Sequence, residues 1–259
     1  MDLIDVHCHV NGEDYGDVEK LMKNISAAGI KKIISAGFDL ASSVYSKKLS
    51  EKYPCVYFTA GFHPTELENF KESDLAAIEN LLSHKKCVAL GEIGLDYHYP
   101  DTDKVLQRRV FLSQLEIAAR LGAPVQIHSR DCAEDMLSVL KEYAVGLKGG
   151  ILMHCYSHST EIALELEKLG VYFSFGGTST YRGGKKAKRT IAALPFNKIL
   201  TETDSPYLPP ASKYGIFPNT PESIPEILKN IAEIKNAGEE EAAERIWSNA
   251  FKLFPKLKN

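Results

Sequence analysis

Apolar residues gather in eight short runs rich in Val and Ile, at 3–7, 32–36, 55–60, 87–91, 124–128, 151–154, 171–175 and 198–203. Runs of this length, bounded by turn-forming residues, predict buried strands. The stretches between them follow the helical period. Within 103–121, Leu106, Val110, Phe111, Leu115, Ala118 and Leu121 trace a single apolar stripe. Gly29, Gly122 and Gly170 each follow a helical run, where a left-handed cap is expected before the next strand. Eight strand–helix units without a Pro-, Gly- or Ser-rich linker predict an α/β protein, a (β/α)8 TIM barrel forming a single domain over 1–259. The competing arrangement is an open doubly wound sheet, but no glycine-rich dinucleotide fingerprint follows the first strand.

Composition narrows the partners. The 259 residues match the roughly 250 of a typical barrel of this kind. No apolar run approaches the roughly 20 residues needed to span a bilayer, and residues 1–20 lack a signal-peptide layout, so no membrane association is expected. No obligate protein partner is evident either. Five cysteines at irregular spacing, with Cys55 and Cys87 inside apolar runs, point to free thiols and a cytoplasmic location. The net charge of −3 argues against broad attraction to nucleic acid, so a phosphate-bearing substrate would have to be held locally.

Candidate chemistry falls at strand ends. In "LIDVHCHVN", His7 and His9 lie two apart on a strand and so face one way, while Cys8 faces the other. The third strand leads into "GFHP" with His63, and the fourth into "GEIGLDY" with Glu92. The fifth ends in "IHSR" with His128 and Arg130, the sixth in "MHCYS" with His154, and the eighth in "ETDSPYL" with Glu202 and Asp204. Taken singly, each has a structural explanation: a hydrogen-bonded core histidine, or a helix-capping aspartate before Ser-Pro. Together they bring imidazoles and carboxylates to the carboxyl end of a barrel, where function resides. Four imidazoles and two carboxylates exceed one tetrahedral site and fit two metals, with Glu92 as the bridging carboxylate. His84, at a helix end before a strand, belongs to the opposite end of the barrel. His158, beyond the sixth strand, reads as an exposed loop residue.

These motifs, in this order, resemble the TatD family of metal-dependent hydrolases, which belong to the amidohydrolase-like (β/α)8 barrels; the resemblance runs from residue 3 to about residue 225. It implies that His7, His9, Glu92 and Asp204 bind one metal, and that Glu92, His128 and His154 bind the other. It also implies that His63 contacts substrate. The family is associated with Mg²⁺- or Mn²⁺-dependent DNase activity, including exonuclease action on single-stranded ends, and some relatives are linked to removal of D-amino acids from tRNA. Two divalent ions are therefore expected, Mg²⁺ or Mn²⁺ in function, with Zn²⁺ also compatible with the donors. Val6, Cys132, His158 and Pro218 depart from the family pattern, and none of the implied ligands is lost.

The reaction expected is hydrolysis of a phosphodiester, with DNA as substrate and Glu92 and Asp204 as the catalytic pair, Asp204 steering the proton of the attacking water. An aminoacyl-tRNA deacylase would use the same ligands on a carbonyl carbon. Arg130 either makes a bidentate phosphate contact or packs its stem on the barrel rim. Arg182, Lys185, Lys186, Lys188 and Arg189, after the seventh strand, form either a solvated helix face or a local phosphate attractor.

Overall fold

Strands made of nearly unbroken apolar runs, such as Val56–Ala60 with every residue buried, can be covered on both faces only in a parallel sheet flanked by helices. The computed structural model, which describes residues 1–258, has this arrangement. Strands β1 (Leu3–Cys8), β2 (Ile30–Ala36), β3 (Val56–Ala60), β4 (Cys87–Asp96), β5 (Val125–Arg130), β6 (Ile151–Met153), β7 (Tyr172–Phe175) and β8 (Ile199–Thr201) pair in parallel and in chain order. The end strands meet through Thr201, whose hydroxyl donates to the Ile4 carbonyl at 2.8 Å. Just beyond, the Asp204 N–H donates to the His7 carbonyl at 3.0 Å, and the His9 N–H to that of Ser205 at 2.6 Å. The result is a (β/α)8 barrel with helices around it. The expected domain extends to Asn259, which lies outside the described residues. Among the described residues, no helix is long and apolar enough to cross a membrane.

Helix Lys104–Leu121 buries Val110, Phe111, Leu115 and Ala118, as its stripe predicts. Leu121 does not join them: it is 44% exposed, because the chain leaves the helix through left-handed Gly122 (φ 62°) and the last side chain points to water. Two glutamines sit on the buried face instead. The Gln107 side-chain oxygen accepts the Asp96 N–H at 2.9 Å, and Gln114 clamps the Phe62 N–H and carbonyl at 2.8 and 3.1 Å. A buried backbone group needs a partner. These two glutamines satisfy the ends of β4 and the segment carrying His63.

Two strand limits differ from the sequence expectation in ways that matter for the site. β4 does not stop at Gly91 but continues to Asp96, so Glu92 lies within the strand and is only 3% exposed. The extension depends on Gly94, at φ 146°: a Cβ there would lie 2.0 Å from the His128 carbonyl oxygen, so only glycine lets β4 and β5 approach this closely. β8 ends at Thr201, two residues early, because Thr203 turns from the sheet and gives its N–H to the Asp5 carboxylate at 3.1 Å.

Candidate metal centre

The barrel gathers seven of the expected site residues at the carboxyl ends of its strands. His7 is on β1 with His9 one residue beyond it, His63 follows β3, Glu92 is on β4, His128 on β5, His154 follows β6 and Asp204 follows β8. Glu92 is at the middle, and its two oxygens face different partners. Oε2 lies 3.4 Å from Nε2 of both His7 and His9. Oε1 lies 3.0 Å from His128 Nδ1, 2.7 Å from His154 Nε2 and 3.3 Å from His63 Nε2. Asp204 Oδ1 closes the first group, 3.6 and 3.5 Å from the His7 and His9 nitrogens.

The hydrogen bonds on the far side of each ring decide what the near side presents. The Gln126 amide nitrogen donates to the Val6 carbonyl, so its oxygen accepts from His7 Nδ1 at 2.9 Å. His9 Nδ1 donates to the Ala36 carbonyl at 3.1 Å, and His128 Nε2 donates to Asp96 Oδ2 at 2.9 Å. The inward nitrogens of His7, His9 and His128 therefore carry lone pairs. Those of His7 and His9 are only 3.2 Å apart. Lone pairs and carboxylate oxygens pointed at one another in a buried space repel unless a cation lies between them. His154 adds a fourth buried nitrogen, Nε2, 2.7 Å from Glu92 Oε1. These donors fit a metal, and the ring anchoring is the arrangement that orients metal-binding histidines.

His63 is different. The Thr65 backbone N–H donates to its Nδ1 at 3.2 Å, with the Thr65 hydroxyl 2.7 Å from the same atom. Its inward Nε2 therefore carries the hydrogen and can donate to Glu92 or to a ligand, although His63, Glu92 and His128 also lie close enough to form a metal-sized group.

The electrostatics show the same hunger for positive charge. Burial opposes ionisation of Glu92, but the imidazoles of His154, His63 and His7 outweigh it and hold the carboxyl well below the usual range. Burial likewise opposes charge on His154 and His9, yet Glu92 pulls the pKa of His154 well up, and Asp204 with Glu92 raises that of His9. For His63, burial prevails and lowers the pKa.

Other expected residues lie elsewhere. Arg130 is exposed, its guanidinium 5.8 Å from the Tyr99 ring, outside the group around Glu92. Glu202 is fully buried behind the site, where it accepts the Ser174 hydroxyl at 2.5 Å and lies 3.7 Å from His154 Nδ1. His158 is not an exposed loop residue: it is half-buried, with Nε2 2.7 Å from the Ser129 hydroxyl. The basic run divides. Arg189 is paired with Glu161 at 2.5 Å, whereas Arg182 and Lys186 line a cleft at the barrel mouth.

Three supporting residues escaped the sequence reading: Asp5, Gln126 and Asp96. Each shares strand parity with a site residue, being two before His7, two before His128 and four after Glu92. Asp5 takes the Thr203 hydroxyl at 2.5 Å, and burial drives its carboxyl pKa well up in spite of that bond. Asp96→Ala should weaken metal binding about 10- to 100-fold, since the His128 ring loses its anchor. Metal titration of the chelated variant checks this, and an affinity equal to wild type would assign Asp96 no such role.

Comparison with known proteins agrees with this geometry. The sequence profile of TatD related DNases matches residues 4–255. The chain belongs to the TatD family of metal-dependent hydrolases. It is 38% identical over 253 residues to the uncharacterized metal-dependent hydrolase YabD of Bacillus subtilis, covering 97% of this chain and 98% of that protein. The crystal structure of YjjV, a TatD homologue from Escherichia coli K12, superposes with a TM-score of 0.92 at 31% identity, covering 98% of both chains. A TatD family hydrolase from Entamoeba histolytica, at 20% identity and a TM-score of 0.85 over 97% of both chains, shares the fold.

Proposed function

We propose that this TatD-family hydrolase is a phosphodiesterase that cleaves DNA from its ends and uses two divalent ions, Mg²⁺ or Mn²⁺. The observation that carries the reading is the division of Glu92, whose two oxygens address separate sets of donors as a carboxylate bridging two ions would. His7, His9, Glu92 and Asp204 would hold one ion, and Glu92, His128 and His154 the other. When bound, such ions offset charge on phosphoryl oxygens and lower the pKa of the attacking water.

The chain's own groups then have distinct tasks. Asp204 Oδ1 faces His7 and His9, leaving Oδ2 to accept the proton of the attacking water. Burial works against charge on Asp204, but His9, His154 and His7 hold its carboxyl below the usual range, so it is ionised and ready to accept. The His63 Nε2–H donates to a phosphoryl or leaving oxygen. Arg130, exposed at the rim beside Tyr99, meets the substrate outside the reacting centre.

The test is a panel on metal-reconstituted protein comprising single- and double-stranded DNA, RNA, aminoacyl-tRNA and bis(p-nitrophenyl) phosphate. Release of nucleotides from DNA is expected. Hydrolysis of aminoacyl-tRNA with every phosphodiester left intact would replace this reading with a deacylase.

A further inference from the structure

On the end of the barrel that carries Glu92, a cleft of about 520 Å³ opens between the loops that follow β6, β7 and β8. Tyr156, two residues past His154, forms one side. Tyr181, Arg182 and Lys186 form another, and Tyr214 closes the third. The loops are locked to the Asp204 segment: a Cβ on Gly177 would fall 2.3 Å from the Leu208 carbonyl oxygen, and the Tyr181 hydroxyl donates to the Pro209 carbonyl at 2.7 Å. Tyr156 is equally fixed, through its hydroxyl to the Ser159 carbonyl at 2.7 Å.

Tyr214 is not buried by any of this. Its ring is 77% exposed, yet it is supported from the side by Tyr181, with centroids 5.5 Å apart and planes at 77°. Large exposed apolar side chains recur in the same loop at Tyr207, Ile216 and Phe217. The cations are placed alongside: Lys186 donates to the Ser157 carbonyl at 3.1 Å, and among the described residues no carboxylate lines the cleft. The other large cavity at this end, about 660 Å³ beside Phe62 and Phe70, has the opposite character, with Asp39, Glu66, Glu68 and Asp74 in its walls. A planar anion is therefore attracted to one cavity and repelled by the other.

We infer that the Tyr214 cleft is a nucleotide subsite, in which one unpaired base stacks on Tyr214 and an adjacent phosphate meets Lys186 and Arg182. Stacking on an aromatic ring beside cations is the general mode for binding single strands without reading sequence. A base within a duplex has both faces covered and cannot enter this arrangement, so the cleft selects frayed or single-stranded ends. The inference rests on the phosphodiesterase reading for its biological use, but binding can be measured independently of cleavage.

The experiment compares equilibrium binding of a labelled, phosphorothioate-linked oligothymidylate with that of an abasic strand of equal length and charge. Metal-loaded wild type should prefer the base-bearing strand by roughly tenfold. Tyr214→Ala should erase that preference, and Tyr214→Phe, which keeps the ring, should retain it. Lys186→Ala should weaken both strands alike and flatten the log–log salt dependence by about 0.7. A wild type indifferent to the base, or a Tyr214→Ala variant that still prefers it, overturns the stacking site; an unchanged salt slope in Lys186→Ala overturns the phosphate contact. Wild-type turnover of bis(p-nitrophenyl) phosphate is read in parallel. Its absence together with intact base preference would count against the phosphodiesterase reading and not against the cleft.

Discussion

Removing metal with a chelator is expected to lower hydrolysis at least about a thousandfold, and Mg²⁺ or Mn²⁺ to restore it, because several kcal/mol of charge stabilisation in the transition state are lost together. The cause lies in the ring orientations. His7 and His9 are tied through Nδ1 to Gln126 and Ala36, so their Nε2 lone pairs remain 3.2 Å apart and cannot rotate away. A protein that binds metal only when folded is stabilised by it, by about 2.7 kcal/mol when the free ion is at 100 times its Kd. The chelated protein should therefore melt at a lower temperature than the reconstituted one. Rate and melting temperature are measured on the same samples across a metal titration. Full activity after metal is removed to below the enzyme concentration would sink the mechanism.

The second large effect is expected for Glu92→Gln. The replacement matches the carboxylate in shape, so the buried site should still pack, but one acceptor oxygen becomes an NH2 donor. Whichever way the amide turns, it points hydrogens either at His7 and His9 or at His128 and His154. One of the two donor sets is thereby spoiled. Activity should fall at least about a hundredfold, with a parallel fall in bound metal measured by elemental analysis. Circular dichroism and thermal melting establish that the fold persists. A variant with wild-type metal content and normal turnover would remove Glu92 from the bridging role.

Much of the site could be read along the chain because parallel strands expose their chemistry at one end. Once the eight apolar runs are recognised as strands of a barrel, polar residues at the ends of those runs are expected at one end of it, and His7, His9, His63, His128, His154 and Asp204 are gathered there. Arg130, which ends β5, takes the rim position that the sequence left open beside a phosphate contact, its guanidinium 5.8 Å from the Tyr99 ring. Leu121 continues the apolar stripe in sequence but sits in the last turn beside the cap at Gly122, where its side chain points to water. His158 is drawn in from its loop by the Ser129 hydroxyl on β5, a partner distant in sequence.

Local periodicity thus established the order of strands and helices, and residue chemistry established which donors were available. Both depend on neighbours in sequence, where spacing and side-chain type suffice. The orientation of those donors was set between strands. Gln126, Ala36 and Asp96 determine which nitrogen of each histidine faces inward, and Thr65 makes His63 a donor where the others are acceptors. Gly94 lets β4 run on so that Glu92 is buried among five imidazoles. The cleft beside Tyr214 combines three loops from well-separated stretches of chain, and its aromatic and cationic walls meet only because the barrel brings those loops to the same rim. A tautomer, the place of Glu92 between two sets of donors and a cleft are each defined by distances across the fold, and such distances leave no periodic mark in the sequence.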